Sequence, residues 1–444
     1  MMKTDISLSQ RLSKYVSQSI LSTVGASIYV LADSFFVAKS IGVLGIAVMN
    51  LTMPLFNVME GLGLLLGMGG GTLFTIYQIK NPQKSQRIYT QTFIMGVILG
   101  LFFTLCGILF VPQIAHLIGA THNTYEYTIK YIRLILLCGP FFVLNNLLLS
   151  FARNDNGIQI AMMAMVISSF GNIFLDWFLI LKLNLGIIGA SIATSLSPFI
   201  SILITILHLK SPHNHLKFTK FKFKKEELLK LITIGAPSFL TEMSTGVGIF
   251  IYNWVFLKVS GNDAVAAYGI AANVLLVALA LFTGVAQGIQ PIVSQYYAKK
   301  NFNAIKFGLH FGLIVAEIIG IICLIFVYLK SNLIIDFFNA SSNYQVVKMT
   351  TIGIKILLIS LLFSSLNVIF NIFFSAINNS HISIFMVILR GYGLPLIIVI
   401  LMAKFYGILG VWSSLTVIEM ISLIFELSAW FFIKKKLKEN DFTI

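Results

Sequence analysis

Charge is what this sequence has least of. Charged residues fill 11% of its 444 positions, and only 16 residues are acidic, where an ordinary globular domain is about 25% charged. With 57% of the chain hydrophobic, there is too little polar surface to cover a water-soluble core, so the soluble and disordered classes are excluded. Cysteine is scarce too. Cys106, Cys138 and Cys323 lie in apolar runs with no CxxC or His/Cys spacing, which excludes a disulfide framework or a zinc module. Also missing is a phosphate loop. The glycine-rich stretch at 61–71 follows a helical pattern and lacks the Lys-Ser/Thr that would hold a nucleotide, so ATP is not the energy source. Its small residues instead suit close helix packing. The net charge of +15 comes from Lys and Arg at the ends of apolar segments rather than along one face, a pattern unlike a nucleic-acid surface. No nucleophile–base set points to an enzyme, and no repeated pore loop points to a channel.

What is present in abundance is long apolar runs. About 20 apolar residues cross a bilayer as a helix. That length predicts spans near 14–38, 43–67, 91–117, 129–151, 158–181 and 187–208, then 231–257, 264–290, 307–329, 349–375, 383–403 and 408–433. The expected fold class is therefore an all-α integral membrane protein of twelve transmembrane helices. Lys and Arg concentrate in the N-terminus, the even-to-odd connections and the tail. By the positive-inside rule both termini are cytoplasmic in a multi-pass protein of the cytoplasmic membrane. The richest connection, 210–230, divides the chain into a six-helix lobe at 1–209 and another at 231–434, with a tail at 435–444. This basic linker is expected to lie on anionic lipid.

The two halves resemble each other. Asp33-Ser-Phe-Phe-Val-Ala-Lys-Ser aligns with Asn253-Trp-Val-Phe-Leu-Lys-Val-Ser, Tyr77–Asn81 with Tyr297–Asn301, Gly186–Gly189 with Gly407–Gly410, and Ala152-Arg-Asn with Ala376-Ile-Asn, all at nearly one offset. Six spans per half makes the repeat parallel, an arrangement of transporters that places the substrate path between the lobes.

With these motifs in order, the chain resembles the multidrug and toxin extrusion (MATE) family, within the superfamily that also holds oligosaccharide flippases. The resemblance rests on Ala-Asp-Ser-Phe-Phe-Val-Ala-Lys-Ser-Ile-Gly at 32–42, Phe-Ala-Arg-Asn-Asp-Asn-Gly at 151–157 and Gly-Asn-Ile-Phe-Leu-Asp at 171–176. Leu-Gly-Ile-Ile-Gly-Ala-Ser-Ile-Ala-Thr at 185–194 and Ile-Gly-Ala-Pro-Ser-Phe at 234–239 add to it. It implies a V-shaped pair of six-helix lobes that exports organic compounds by antiport against H+ or Na+, with no cofactor. It also implies a monomer whose partners are a small organic substrate and membrane lipids. One branch of the family carries an acid in the tenth span; here that span holds Lys355 and no acid, and Asn253 stands where the repeat mate of Asp33 falls. The chain therefore looks closer to the DinF-like branch, whose coupling acids are in the first lobe. Asp33 and Asp176 match those acids, Asn172 the amide one turn earlier, and Asn145 or Asn146 a fourth-span amide.

A carboxylate at the centre of a bilayer costs roughly 2.5 kcal/mol or more, so such residues usually carry function. Asn172 and Asp176 share a face of the fifth span, one turn apart. If Asp33 joins them, two carboxylates in a low dielectric cannot both ionise cheaply and one keeps a proton. With the amide, the same oxygens of Asp33, Asp176 and Asn172 suit Na+. Glu242 is the expected second-lobe coupling or substrate acid, with Asn253, Lys355 and Arg390 as further candidates there. Glu60, Glu317, Glu419 and Glu426 are structural or transport acids. Arg390 and Lys355 also leave open a flippase that takes an anionic lipid-linked precursor.

Overall fold

The computed structural model describes residues 7–212, 214–220, 224–338 and 344–438, and among these the chain is helical without a strand. The helices are α1 (Leu8–Ile41), α2 (Val43–Lys80), α3 (Pro82–Leu109), α4 (Val111–Leu117), α5 (Tyr125–Leu137), α6 (Gly139–Asn154), α7 (Ile158–Asp176) and α8 (Gly186–Ile206), followed by α9 (Lys225–Ser260), α10 (Asn262–Ala298), α11 (Phe302–Phe338), α12 (Tyr344–Leu357), α13 (Leu361–Ala376), α14 (Ser380–Ile388) and α15 (Leu394–Lys438).

These helices supply the twelve expected spans. Among the described residues, nine helical segments are long and apolar enough to cross a bilayer, and α5 with α6, bent by 50°, makes a tenth. Pro140, in the first turn of α6, removes a backbone donor at that bend. The segment 380–437 is two spans, because Gly407 (φ 57°, ψ −140°) breaks α15 in a conformation open to glycine and costly to other residues. The last span is α9, whose apolar run is interrupted by Thr-Glu-Met-Ser-Thr at 241–245. A π-helical turn at Trp177–Lys182 extends α7, and another at Leu389–Gly393 joins α14 to α15.

The internal repeat is visible in the backbone. Left-handed residues fall at matched places in the two halves: Gly42 and Gly261, Asn156 and Asn378, Gly186 and Gly407. Packing divides the chain into a unit of residues 21–243 and a unit formed by residues 1–20 with 244–444. Each unit thus takes the opening segment of a long helix from the other half of the sequence. In the 21–243 unit, that segment belongs to α9. A Cβ on Gly235 would lie 1.9 Å from the Leu65 carbonyl oxygen of α2, and one on Gly69 would lie 2.1 Å from the Leu231 oxygen. Gly61 also faces α9, whereas Gly63 and Gly67 serve α6: a Cβ on Gly63 would meet the Val143 oxygen at 2.8 Å and one on Gly67 the Asn146 oxygen at 2.8 Å. The stretch is a packing surface, as its small residues predict. Edge-to-face rings, Phe74 on Phe151 at 5.7 Å and Phe56 on Phe142 at 5.5 Å, complete that core.

The linker expected at 210–230 is partly described; residues 213 and 221–223 lie outside the described residues, as do 439–444 of the expected tail. Asp155 holds the near end of the linker. It accepts from the His215 backbone amide at 2.7 Å, meets His215 Nδ1 at 2.8 Å and His208 Nε2 at 3.0 Å, and accepts from Gln78 Nε2 at 3.3 Å. Farther along, the Thr219 amide donates to Thr90 Oγ1 at 3.1 Å, and Phe218 packs on Tyr89 and Phe93 with centroids 5.1 Å apart in both cases.

Candidate ion-coupling site

Three helices of the 21–243 unit converge on Asp33. It lies in the C-terminal third of α1 and is buried. Thr194 of α8 donates to its Oδ2 at 3.4 Å, a long and weak contact, while making a better bond to the Ala190 carbonyl at 2.9 Å. On α7, Asn172 and Asp176 stand one turn apart and both are 0% exposed. Asp33 of α1 and Asp176 of α7 are near enough for their charges to act on each other. The Tyr131 hydroxyl of α5 faces Thr194 and feels both aspartates.

Polar groups here are short of partners. Asp33 Oδ1, both carboxylate oxygens of Asp176 and both amide atoms of Asn172 are buried with no hydrogen-bond partner. Each such atom costs about 1–3 kcal/mol when nothing satisfies it. Among the described residues no ion pair reaches either aspartate. The donors are two carboxylates, an amide oxygen and a hydroxyl, all hard oxygens that fit a proton or a small cation such as Na+. Among the described residues there is no group of three or more His, Cys, Asp or Glu with metal-binding geometry, so a softer transition metal has no site of that kind.

Tyr29, one turn before Asp33, stands among four acids. Asp33, Asp176, Glu60 and Glu242 all act on it electrostatically, and Glu60 and Glu242 act on each other. Glu242 was expected to serve the second lobe from its place in span seven. It packs instead in the 21–243 unit, where a Cβ on Gly61, next to Glu60, would lie 3.5 Å from the Glu242 Cβ. The close approach of α9 to α2 is the physical cause. Asn146 faces α2, its Cβ 3.0 Å from where a Cβ on Gly63 would be, and the Asn145 side-chain oxygen is buried without a partner.

The other unit differs in kind. Around Asn253, the repeat mate of Asp33, the neighbouring Tyr252 stacks on Tyr268 at 5.1 Å, Phe256 packs at a tilt against Trp412 at 4.7 Å, and the Tyr252 hydroxyl bonds Ser414 Oγ at 2.8 Å. An aromatic cluster thus occupies the neighbourhood that carries acids in the first unit. Arg390 grips Glu419 with two bonds of 2.8 Å. Glu317 accepts from Ser365 Oγ at 2.7 Å. The Lys355 ammonium lies 5.8 Å from the Tyr328 ring, a cation–π contact beside a half-exposed tyrosine. The sequence did not single out Tyr29, Tyr131, Thr194 or Asp155. Helical spacing from Asp33 points to Tyr29; the other three join through contacts distant in sequence.

Comparison with known proteins places this geometry among others. The MatE family model matches residues 19–178 and 237–401. The chain is similar to the multidrug export protein MepA of Staphylococcus saprophyticus, 30% identical over 389 residues that cover 86% of this chain and 85% of that one. It is 28% identical to the MepA of Staphylococcus aureus over 403 residues, 90% of this chain and 88% of that one. In fold it is similar to an outward-facing multidrug resistance MATE family transporter of the MOP superfamily, with a TM-score of 0.92 at 21% identity over 99% of this chain and 100% of that chain. A MOP superfamily transporter from Pyrococcus furiosus, described by a binding pocket of reverse polarity, matches with a TM-score of 0.89 at 22% identity over 97% of both chains.

Proposed function

Because the chain belongs to the MatE family of transporters, we propose that it is a secondary antiporter that exports drug-like or natural-product organic compounds across the cytoplasmic membrane in exchange for H+ or Na+. Similarity to MepA supports the substrate class. The observation that carries the coupling assignment is the set of partnerless buried atoms on Asp33, Asn172 and Asp176. A proton or Na+ bound there neutralises two carboxylates on separate helices, α1 and α7; its departure sets them against each other in a low dielectric. The two conditions favour different arrangements of these helices, and that difference in ion affinity is what an exchanger converts into transport. Asp33 and Asp176 bind the ion, Asn172 and Thr194 supply neutral oxygens, and Tyr29 connects this group to Glu60 and Glu242. An acid-free tenth span and acids in the first unit support the DinF-like branch as its place in the family. Both termini are on the cytoplasmic side, and the chain works as a monomer.

A flippase for an anionic lipid precursor needs a free cationic centre at Arg390 or Lys355. Arg390 is engaged by Glu419 and Lys355 by Tyr328, so antiport is the better supported function. Uptake of a fluorescent cationic dye into inverted vesicles, with proton and sodium gradients imposed separately, tests the assignment. Wild type responds to one gradient, and Asp33→Asn or Asp176→Asn abolishes that response. Variants that keep the full gradient response would refute the coupling role.

A further inference from the structure

The 244–444 unit contains a second buried group of ionisable side chains that the proposed coupling site does not use. Arg390 projects from the π-helical turn Leu389–Gly393, a rare conformation that recurs at functional sites. Its Nε donates to Glu419 Oε2 and its Nη2 to Glu419 Oε1, both at 2.8 Å. Asn367 Nδ2 adds a third bond to Oε2 at 2.6 Å and a fourth to the Glu419 carbonyl at 2.9 Å. The Arg390 charge is therefore committed to one carboxylate.

Glu426 is left over. It lies two turns beyond Glu419 on the same face of α15, is 1% exposed, and its Oε2 has no hydrogen-bond partner. Arg390 and Glu419 both act on it, and among the described residues Tyr252 of α9 also faces this centre, through Glu419. Ser422 Oγ, one turn before Glu426, and Asn367 Oδ1 are also buried without partners. One guanidinium cannot neutralise two buried carboxylates, and an uncompensated charge at that depth is strongly destabilising.

We propose that Glu426 is a second proton-binding site of this chain. Its carboxyl holds a proton while Arg390 clamps Glu419. When Arg390 turns from Glu419 to Glu426, the O–H bond of Glu426 breaks and one forms on Glu419, so a guanidinium, a carboxylate and a carboxylic acid are present before and after. Exchange of that proton with water at either carboxyl loads or empties the site. Arg390 makes a metal cation a poor occupant, since it already supplies the positive charge that such an ion would bring.

Infrared difference spectra of the full chain in lipid nanodiscs, followed through a pH titration, test this without depending on transport. Wild type shows a neutral-carboxyl C=O band that disappears as the pH rises; Glu426→Gln lacks that band, Glu426→Asp keeps it at a shifted frequency, and Asp33→Asn leaves it in place. Arg390→Gln gains a neutral-carboxyl band, because Glu419 then takes a proton of its own. A Glu426→Gln spectrum that superimposes on wild type at every pH, or an Arg390→Gln spectrum with no gain, overturns the assignment. Since the readout is spectroscopic, a failure here is distinct from a failure of gradient-driven export.

Discussion

Alanine at two glycines of one helix should act in opposite directions. On Gly235 of α9 a Cβ would fall 1.9 Å from the Leu65 carbonyl oxygen, 2.7 Å from its carbon and 3.0 Å from its Cα. All three are backbone atoms and cannot rotate away, so α9 and α2 must part by at least about 1 Å to restore even the tightest tolerated contact of 3.0 Å. Overpacking of this kind costs about 1–3 kcal/mol. Parting the helices also loosens the reciprocal contact of Gly69 with Leu231 and the seam that carries Glu60 and Glu242. On Gly248 of the same helix nothing lies within 4 Å of the added atom, and replacing glycine by alanine in a helix gains up to about 1 kcal/mol. Reversible unfolding in mixed micelles with increasing SDS measures both. Gly235→Ala should unfold at lower SDS and Gly248→Ala at equal or higher SDS. Equal stability of the two variants would refute the claim that glycine at 235 is there for helix approach.

Two further outcomes are expected. Glu419→Gln alone should cost little stability, because Glu426 can stand in as the partner of Arg390, whereas Glu419→Gln with Glu426→Gln strands a guanidinium that cannot deprotonate and should cost about 3–5 kcal/mol; additive single effects in the same unfolding assay would exclude the shared partner. Asp155→Ala removes the acceptor of the His215 amide and of both imidazoles. Hydrogen bonds to a charged group are worth about 1.5–3 kcal/mol each, so hydrogen exchange at the His215 amide should rise more than tenfold, and an unchanged rate would mean the linker is held by other contacts.

Much of this was legible in the sequence because hydrocarbon makes strong demands. Long apolar runs had to be spans, and acids within them had to find a partner or a cavity. The spacing of Asn172 to Asp176 fixed a shared helix face without any knowledge of the fold. What escaped was set by contacts that no local pattern encodes. Glu242 joins Glu60 because glycines at 61, 69 and 235 draw α9 onto α2, a fact of the seam rather than of span seven. Arg390 finds Glu419 because Gly407 breaks α15 and lets residues far apart in sequence lie side by side. Asp155 organises the linker through histidines more than fifty positions away, which read in sequence only as polar punctuation.

The exchange of leading segments between the units has a consequence for how this chain can be divided. The packing boundaries after Ile20 and Met243 are not where the sequence halves meet. A cut at the linker would leave the front half without the α9 segment that its α2 glycines are shaped to receive, and the rear half without residues 8–20, whose Val16 lies against Gly288. Neither fragment can then complete its own packing. Two copies of a single half could do so only by lending each other their first segments, as swapped dimers do. Joining the halves in one polypeptide makes that loan permanent and independent of concentration.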